Sequence, residues 1–167
     1  MLASIAWACV SAANAPAGGA TLTRQSYEDF QAWLKTQRGK IVIVDCWATY
    51  CAPCKKEFPK LVAISEKADP RELVCASVSF DYDDTATPAE NNAPVLEFLK
   101  KQNAGKVRNI LVTLDPDELH KQLGLTSIPT VLVYDRAGQV KAFDSSVPGK
   151  PFDYAQVEAY VAELRKP

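Results

Sequence analysis

The chain has little of what marks a nucleic-acid, metal or membrane protein. Its formal net charge is −1, and acids and bases are scattered along it. A nucleic-acid binder would carry a basic stripe, so that class is set aside. It has a single histidine, His120, too few for a His-rich metal site. Beyond the N-terminus there is no apolar run of about 18 residues or more, and the mature domain is expected to be soluble. No internal repeat is present.

Charge is also missing from one end. The first 23 residues, "MLASIAWACVSAANAPAGGATLT", hold no charged side chain. Leu2 to Ala13 is short, apolar and Ala-rich, and small residues follow it. Residues 1–19 therefore read as a signal-peptide-like segment, with a small-x-small cut after Ala13 or Ala17, although the usual basic start is absent. The alternative is a disordered Ala/Gly tail. Cys9 sits in "AWAC", a poor match to a lipid-attachment box.

The rest reads as one domain, residues 20–167. A short strand and a helix capped by Ser26 and ended by Gly39 come first. "KIVIVDCWA", Lys40 to Ala48, is apolar on both alternating faces, as in a central strand covered by helices on both sides. A helix from Cys51 to about Lys67 follows, with Pro59 expected to kink it. "ELVCASVSF" is a second buried strand, and "DYDDTATPAENNAP" reads as a long polar loop. The spacing predicts a short helix over Val95–Gln102 opened by Pro94, a strand at "NILVTL", and a helix with Asp115 as cap, Pro116 in its first turn and Gly124 at its end. A hairpin turning at Ala137-Gly138 and a helix over residues 153–165 close the chain. Strands alternating with helices give an α/β domain with a mixed sheet.

The chemistry rests on "DCWATYCAPCKKEFP", Asp45 to Pro59. Zinc needs four ligands, and Cys9, Cys46, Cys75 and His120 form no second pair. A structural disulfide across so short a loop would constrain the unfolded chain little. A reacting dithiol fits better. Cys51 falls at a helix start, where free N–H groups and the helix dipole favour a thiolate, and Cys54 falls one turn in. Pro53 suits the first turn, where its missing N–H has no partner to lose.

"WATYCAPCKKEFP", followed far downstream by "SIPTVLVYDRAGQV", resembles the thioredoxin superfamily, and "CKKEFPKL" resembles its exported TlpA-like and ResA-like thiol–disulfide oxidoreductases. The resemblance implies a thioredoxin-like fold: a central mixed β-sheet flanked by helices on both faces, with a TlpA-like insertion at about residues 81–107, before a cis-proline loop at Ile128-Pro129. It implies a redox-active Cys51–Cys54 disulfide and no other cofactor, with Cys51 the nucleophile and Cys54 the resolving thiol. Asp45 falls where thioredoxin has a buried acid that takes the proton of the second cysteine, here Cys54, through water, with a pKa raised by desolvation; a strand-end Asp bonded to loop amides is the alternative. Ser77 replaces the lysine that faces that acid. Glu57 matches an acid that assists thiol chemistry in ResA-like proteins; a solvated helix carboxylate is the alternative. Trp47, Tyr50, Ile128 and Pro129 would form the substrate-binding surface, unless they are core.

Cys46 and Cys75 are read as buried free thiols on opposite sheet faces, by period-two parity. Asp81 to Asp84 lacks the glycine and glutamate of an EF-hand and reads as a solvated loop. Ala48 stands where a peroxidase has threonine, which disfavours a peroxidase. The expected function is reduction of protein disulfides outside the cytoplasm, including apocytochrome c cysteines, with electrons from a membrane donor. A general exported oxidase or isomerase, or a thioredoxin-scaffold binding module with idle cysteines, are the alternatives.

Overall fold

A computed structural model describes residues 19–144 and 152–166. Apart from Gly19, the signal-like segment lies outside them, and so does Cys9. The elements in chain order are β1 (Thr23–Gln25), α1 (Tyr27–Thr36), β2 (Ile41–Trp47), α2 (Ala52–Lys67), β3 (Leu73–Ser79), α3 (Pro88–Lys101), β4 (Arg108–Val112), α4 (Pro116–Leu123), β5 (Thr130–Tyr134), β6 (Val140–Phe143) and α5 (Tyr154–Leu164). The six strands form one sheet in the order β1-β4-β3-β2-β5-β6. The pairs β1–β4, β4–β3 and β3–β2 are parallel, whereas β2–β5 and β5–β6 are antiparallel. The mixed sheet read from the alternation of elements is thus present.

Every residue of β2 is buried, because helices cover both faces of the sheet. Ile43, Asp45 and Trp47 share one face. Ile43 lies in a cleft with Ile64 of α2 and Val161 of α5, and Trp47 packs on Phe58 of α2 and Phe98 of α3. That face therefore belongs to α2, α3 and α5. The other face belongs to α1 and α4, which are tied by the Tyr27 hydroxyl donating to the Gln122 carbonyl at 3.0 Å. This split follows from handedness. The crossovers β2–α2–β3 and β3–α3–β4 step the same way along the sheet, and right-handed crossovers put both helices on one side.

Two local expectations are corrected. The helix expected over Val95–Gln102 begins seven residues earlier in the chain, at Pro88. Thr87 caps it: its hydroxyl accepts from the Glu90 N–H, and the Glu90 carboxylate accepts from the Thr87 N–H at 2.7 Å. This reciprocal box outweighs the breaking signal of Pro94. Pro94 faces solvent, so the carbonyl that loses its partner one turn back can turn to water. Asn91, buried in the first turn, adds bonds to the carbonyls of Asp83, Ala86 and Thr87. The second correction is Asp81, described below.

The hairpin turn behaves as read. Gly138 has φ +77°, and its N–H meets the Asp135 carbonyl at 2.8 Å. That positive φ is what disfavours a side chain there, since the Arg38 guanidinium, 2.2 Å from where a Cβ would stand, is the end of an exposed flexible chain that can move aside.

Thr87→Ala should destabilise the protein by about 1 kcal/mol, and Thr87→Ser by much less. Denaturant unfolding of the two variants beside the wild type checks this; equal midpoints for all three would show that the box does not hold α3.

Candidate active site

β2 ends at Trp47, the chain turns through Ala48–Tyr50, and α2 starts at Ala52 with Cys51 as its cap. The Cys51 N–H bonds the Ala48 carbonyl at 3.1 Å. Cys51 and Cys54 are joined by a disulfide. The Cys54 N–H donates to the Cys51 sulfur at 3.2 Å. A free donor of the helix start therefore points at that sulfur, and it would stabilise a thiolate there. Cys51 is 8% exposed and Cys54 1%: both are buried, and Cys51 is the more accessible of the two.

The loop before Cys51 is clamped from the next strand. Asp81 accepts from the Thr49 N–H at 3.0 Å and 3.1 Å to its two oxygens, and also from the Thr49 hydroxyl. The Ser79 hydroxyl donates to it at 2.6 Å. Asp81 is half-buried, so its reading as a solvated loop acid is corrected. Only long-range pairing of β2 with β3 brings Asp81 beside Thr49, and no local pattern announces that contact. Asp83 does sit in an exposed turn, where the Thr85 bonds hold its carboxylate below the usual range.

Asp45 lies beneath α2 and is 2% exposed. Burial lifts its carboxyl to about 7, opposed by a hydrogen bond from Tyr154 and helped by the nearby Glu57 carboxylate. Tyr154, from the first turn of α5, donates its hydroxyl to Asp45 Oδ2. Ser77 is the register partner of Asp45 on β3, yet its hydroxyl goes to Asn109 Oδ1 at 2.9 Å. The acid thus has a phenol as its polar neighbour. Tyr154 is 109 residues away in sequence, and nothing local marks it for this place.

Glu57 is covered by Lys60, whose Nζ lies 2.7 Å from Glu57 Oε2 and 3.6 Å from Asp153 Oδ1. With 16% of its side chain exposed, it is neither a freely solvated carboxylate nor unpaired. It stands one turn after Cys54 on the same helix face, and its charge acts on Asp45. Cys54, Glu57 and Asp45 are therefore gathered under one turn of α2.

The anticipated binding surface divides. Tyr50 is 69% exposed beside Cys51. Ile128 is half-buried and Pro129 buried, and the bond between them is cis. Thr130, next in the chain, pairs with Cys46 on β2, which sets the Ile128-Pro129 loop at the same sheet end as the disulfide. Trp47 is a correction. It has no exposed surface and sits 5.2 Å from the Phe58 ring and 4.6 Å from the Phe98 ring, so apolar packing holds it in the core and away from a substrate.

Cys46 and Cys75 are free and buried, on opposite faces of adjacent strands. Burial pushes the Cys75 thiol up to about 12 and raises Cys46 well above its ordinary value. Neither is suited to exchange at neutral pH.

The sheet order, the cis-proline loop and the disulfide at a strand–helix junction define a thioredoxin-like protein with a Cys-x-x-Cys disulfide. Its model matches over residues 14–143, and the chain belongs to the AhpC/TSA family. It is 29% identical to the thiol-disulfide oxidoreductase ResA of Bacillus thuringiensis over 64% of this chain and 56% of that one. It is 29% identical to the thiol:disulfide interchange protein HelX of Rhodobacter capsulatus over 61% of this chain and 50% of that one. The chain thus spans about half the length of these curated relatives. A secreted Mycobacterium tuberculosis disulfide oxidoreductase, homologous to E. coli DsbE, superposes with a TM-score of 0.58 at 15% identity, over 77% of this chain and 85% of that one. No helix among the described residues is long and apolar enough to cross a membrane.

The raised Asp45 makes stability fall with pH. An unfolded chain would release this proton near 3.8, whereas the folded one holds it to about 7. The folded state therefore binds more protons in between, and its advantage is full below that window and lost as pH rises through it. In the oxidised protein this should amount to on the order of 2–4 kcal/mol between the two limits. Asp45→Asn should flatten that slope in urea titrations at several pH values; an unchanged slope would mean that Asp45 ionises normally.

Proposed function

We propose that the protein is a thiol–disulfide oxidoreductase that reduces disulfides in protein substrates outside the cytoplasm. The observation that carries this is the asymmetry of the disulfide, with Cys51 the more accessible of the two and capping a helix N-terminus, and Cys54 fully buried one turn behind. In the reduced protein the Cys51 thiolate attacks a substrate disulfide. One substrate sulfur leaves as a thiolate and a mixed disulfide forms. Cys54 gives up its proton to Asp45 and attacks the Cys51 sulfur, which releases the second substrate sulfur. Two electrons pass from the dithiol to the substrate, and the Cys51–Cys54 bond is left behind.

Tyr50 and the Ile128-Pro129 loop would receive an extended substrate segment beside Cys51. The Cys-Ala-Pro-Cys sequence has no histidine between its sulfurs to stabilise a thiolate as in oxidising relatives, which favours reduction. Likeness to ResA and HelX supports a role outside the cytoplasm, with apocytochrome c cysteines as a substrate class and a membrane dithiol as the electron source. The rival reading is a general oxidase or isomerase, and a potential near that of a strong oxidant, roughly −120 mV, would overturn the reductase reading. A redox titration against glutathione separates the two.

Cys54→Ser should trap substrates as mixed disulfides that survive non-reducing electrophoresis, and Cys51→Ser should trap almost none. Cys54 is normally one turn away at high effective concentration, and serine cannot make the second attack. Trapping by both variants would mean that the roles are misassigned. Trapping by neither, in cells that export the folded protein, would favour a binding module with idle cysteines.

In the reduced wild type, Cys51 should be alkylated by iodoacetamide at lower pH than Cys54. Mass-spectrometric mapping of the label after short exposure checks this; equal labelling at every pH would remove the electrostatic argument.

A further inference from the structure

Asp45 is a buried acid that meets no cation among the described residues. From β3 its register partner Ser77 is turned away to Asn109. From β5 it faces Val131. From α2 the nearby charge is Glu57, of the same sign. On β2 itself, burial and the Asp45 charge keep the neighbouring Cys46 thiol protonated. Among the described residues, its side-chain hydrogen bond comes from Tyr154 on α5.

Tyr154 is fixed for that contact. It has no exposed surface, and its ring meets Phe152 edge-on at 5.2 Å. It follows Asp153, which caps α5 through the Ala155 N–H at 3.0 Å. Lys60 bridges from Glu57 on α2 to that same Asp153. The element bearing the cysteines is therefore tied to the residue that places the phenol. The phenol stays protonated, since burial and the Asp45 charge both raise it well above its ordinary value, so it acts as a donor only.

We propose that Tyr154 is a positioning residue for the resolving step: by donating to Asp45 it holds that carboxylate in place and in its charged form, ready to receive the Cys54 proton. The inference rests on the reading of Cys54 as resolving thiol and Asp45 as its acceptor. The proton passes from the Cys54 sulfur to an Asp45 oxygen, the Cys54 electron pair forms the bond to Cys51, and the Cys51–substrate bond breaks with its pair on the departing sulfur. A neutral donor steadies the carboxylate without pairing it with a full positive charge, which would weaken it as a base.

The test uses the full chain. A mixed disulfide between Cys51 and a small aromatic thiol is formed, and thiol release is followed by absorbance from pH 5 to 9, beside carbon NMR of the Asp45 carboxyl in the oxidised form. In Tyr154→Phe the Asp45 titration and the release profile should both move to higher pH by about one unit. Release at pH 7 should then fall about fivefold and recover by pH 9. Formation of the mixed disulfide should not change. Lys60→Met leaves the core intact and should move both curves the same way, about threefold in rate at pH 7. It decides the matter if Tyr154→Phe does not fold, since unmoved curves would then overturn the proposal. A uniform loss at every pH with an unmoved Asp45 titration would overturn it too, as a purely structural effect. If Asp45→Asn keeps the wild-type profile, the underlying reading fails; if it abolishes the limb while Tyr154→Phe leaves it unmoved, only the role of Tyr154 fails.

Discussion

Complete burial of β2 is the constraint on which the remaining structure depends. A strand without a solvent face needs helices on both sides and paired strands at both edges. β3 and β5 supply the edges, α2, α3 and α5 one cover, and α1 and α4 the other. The chain that leaves the end of such a strand must turn sharply to enter a covering helix. Cys51 lies at that turn, with helix-start donors around it. The more accessible sulfur, the fully buried sulfur and the buried acid are consequences of one junction between a central strand and its covering helix.

The same burial determines the chemistry of Asp45. Water is excluded, so the charged form is disfavoured and the acid titrates near neutrality, where a proton acceptor for a thiol is useful. What tempers this is a phenol from the last helix instead of a cation from the neighbouring strand, and a lysine bridge holds that helix against α2. The loop on the other side of Cys51 is held by Asp81, a single carboxylate that takes both the N–H and the hydroxyl of Thr49. The reacting disulfide thus lies between two anchors that come from distant parts of the chain.

Two start signals compete at α3. Pro94 is one, and the stronger lies upstream in Thr87-Pro88-Ala89-Glu90, a complete capping box with proline in the first turn. The information was present in the sequence and was outweighed by the polar composition around it. Trp47 is a different case. Its place beside the cysteines admits both a binding surface and core packing, and the rings of Phe58 and Phe98, from two other elements, put it in the core.

The sequence by itself determined the order of elements, the burial of β2 and the Cys-x-x-Cys pair at a strand–helix junction. Each of these is carried by residues within a few positions of one another, through side-chain period, capping and turn chemistry. The clamp of Asp81 on Thr49, the Lys60 bridge to Asp153 and the bond from Tyr154 to Asp45 join residues 32, 93 and 109 positions apart. A contact of that range depends on how sheet register and helix packing fold the chain back on itself, and short-range pattern does not encode it. Tertiary structure alone therefore decided which groups surround the acid and hold the loop.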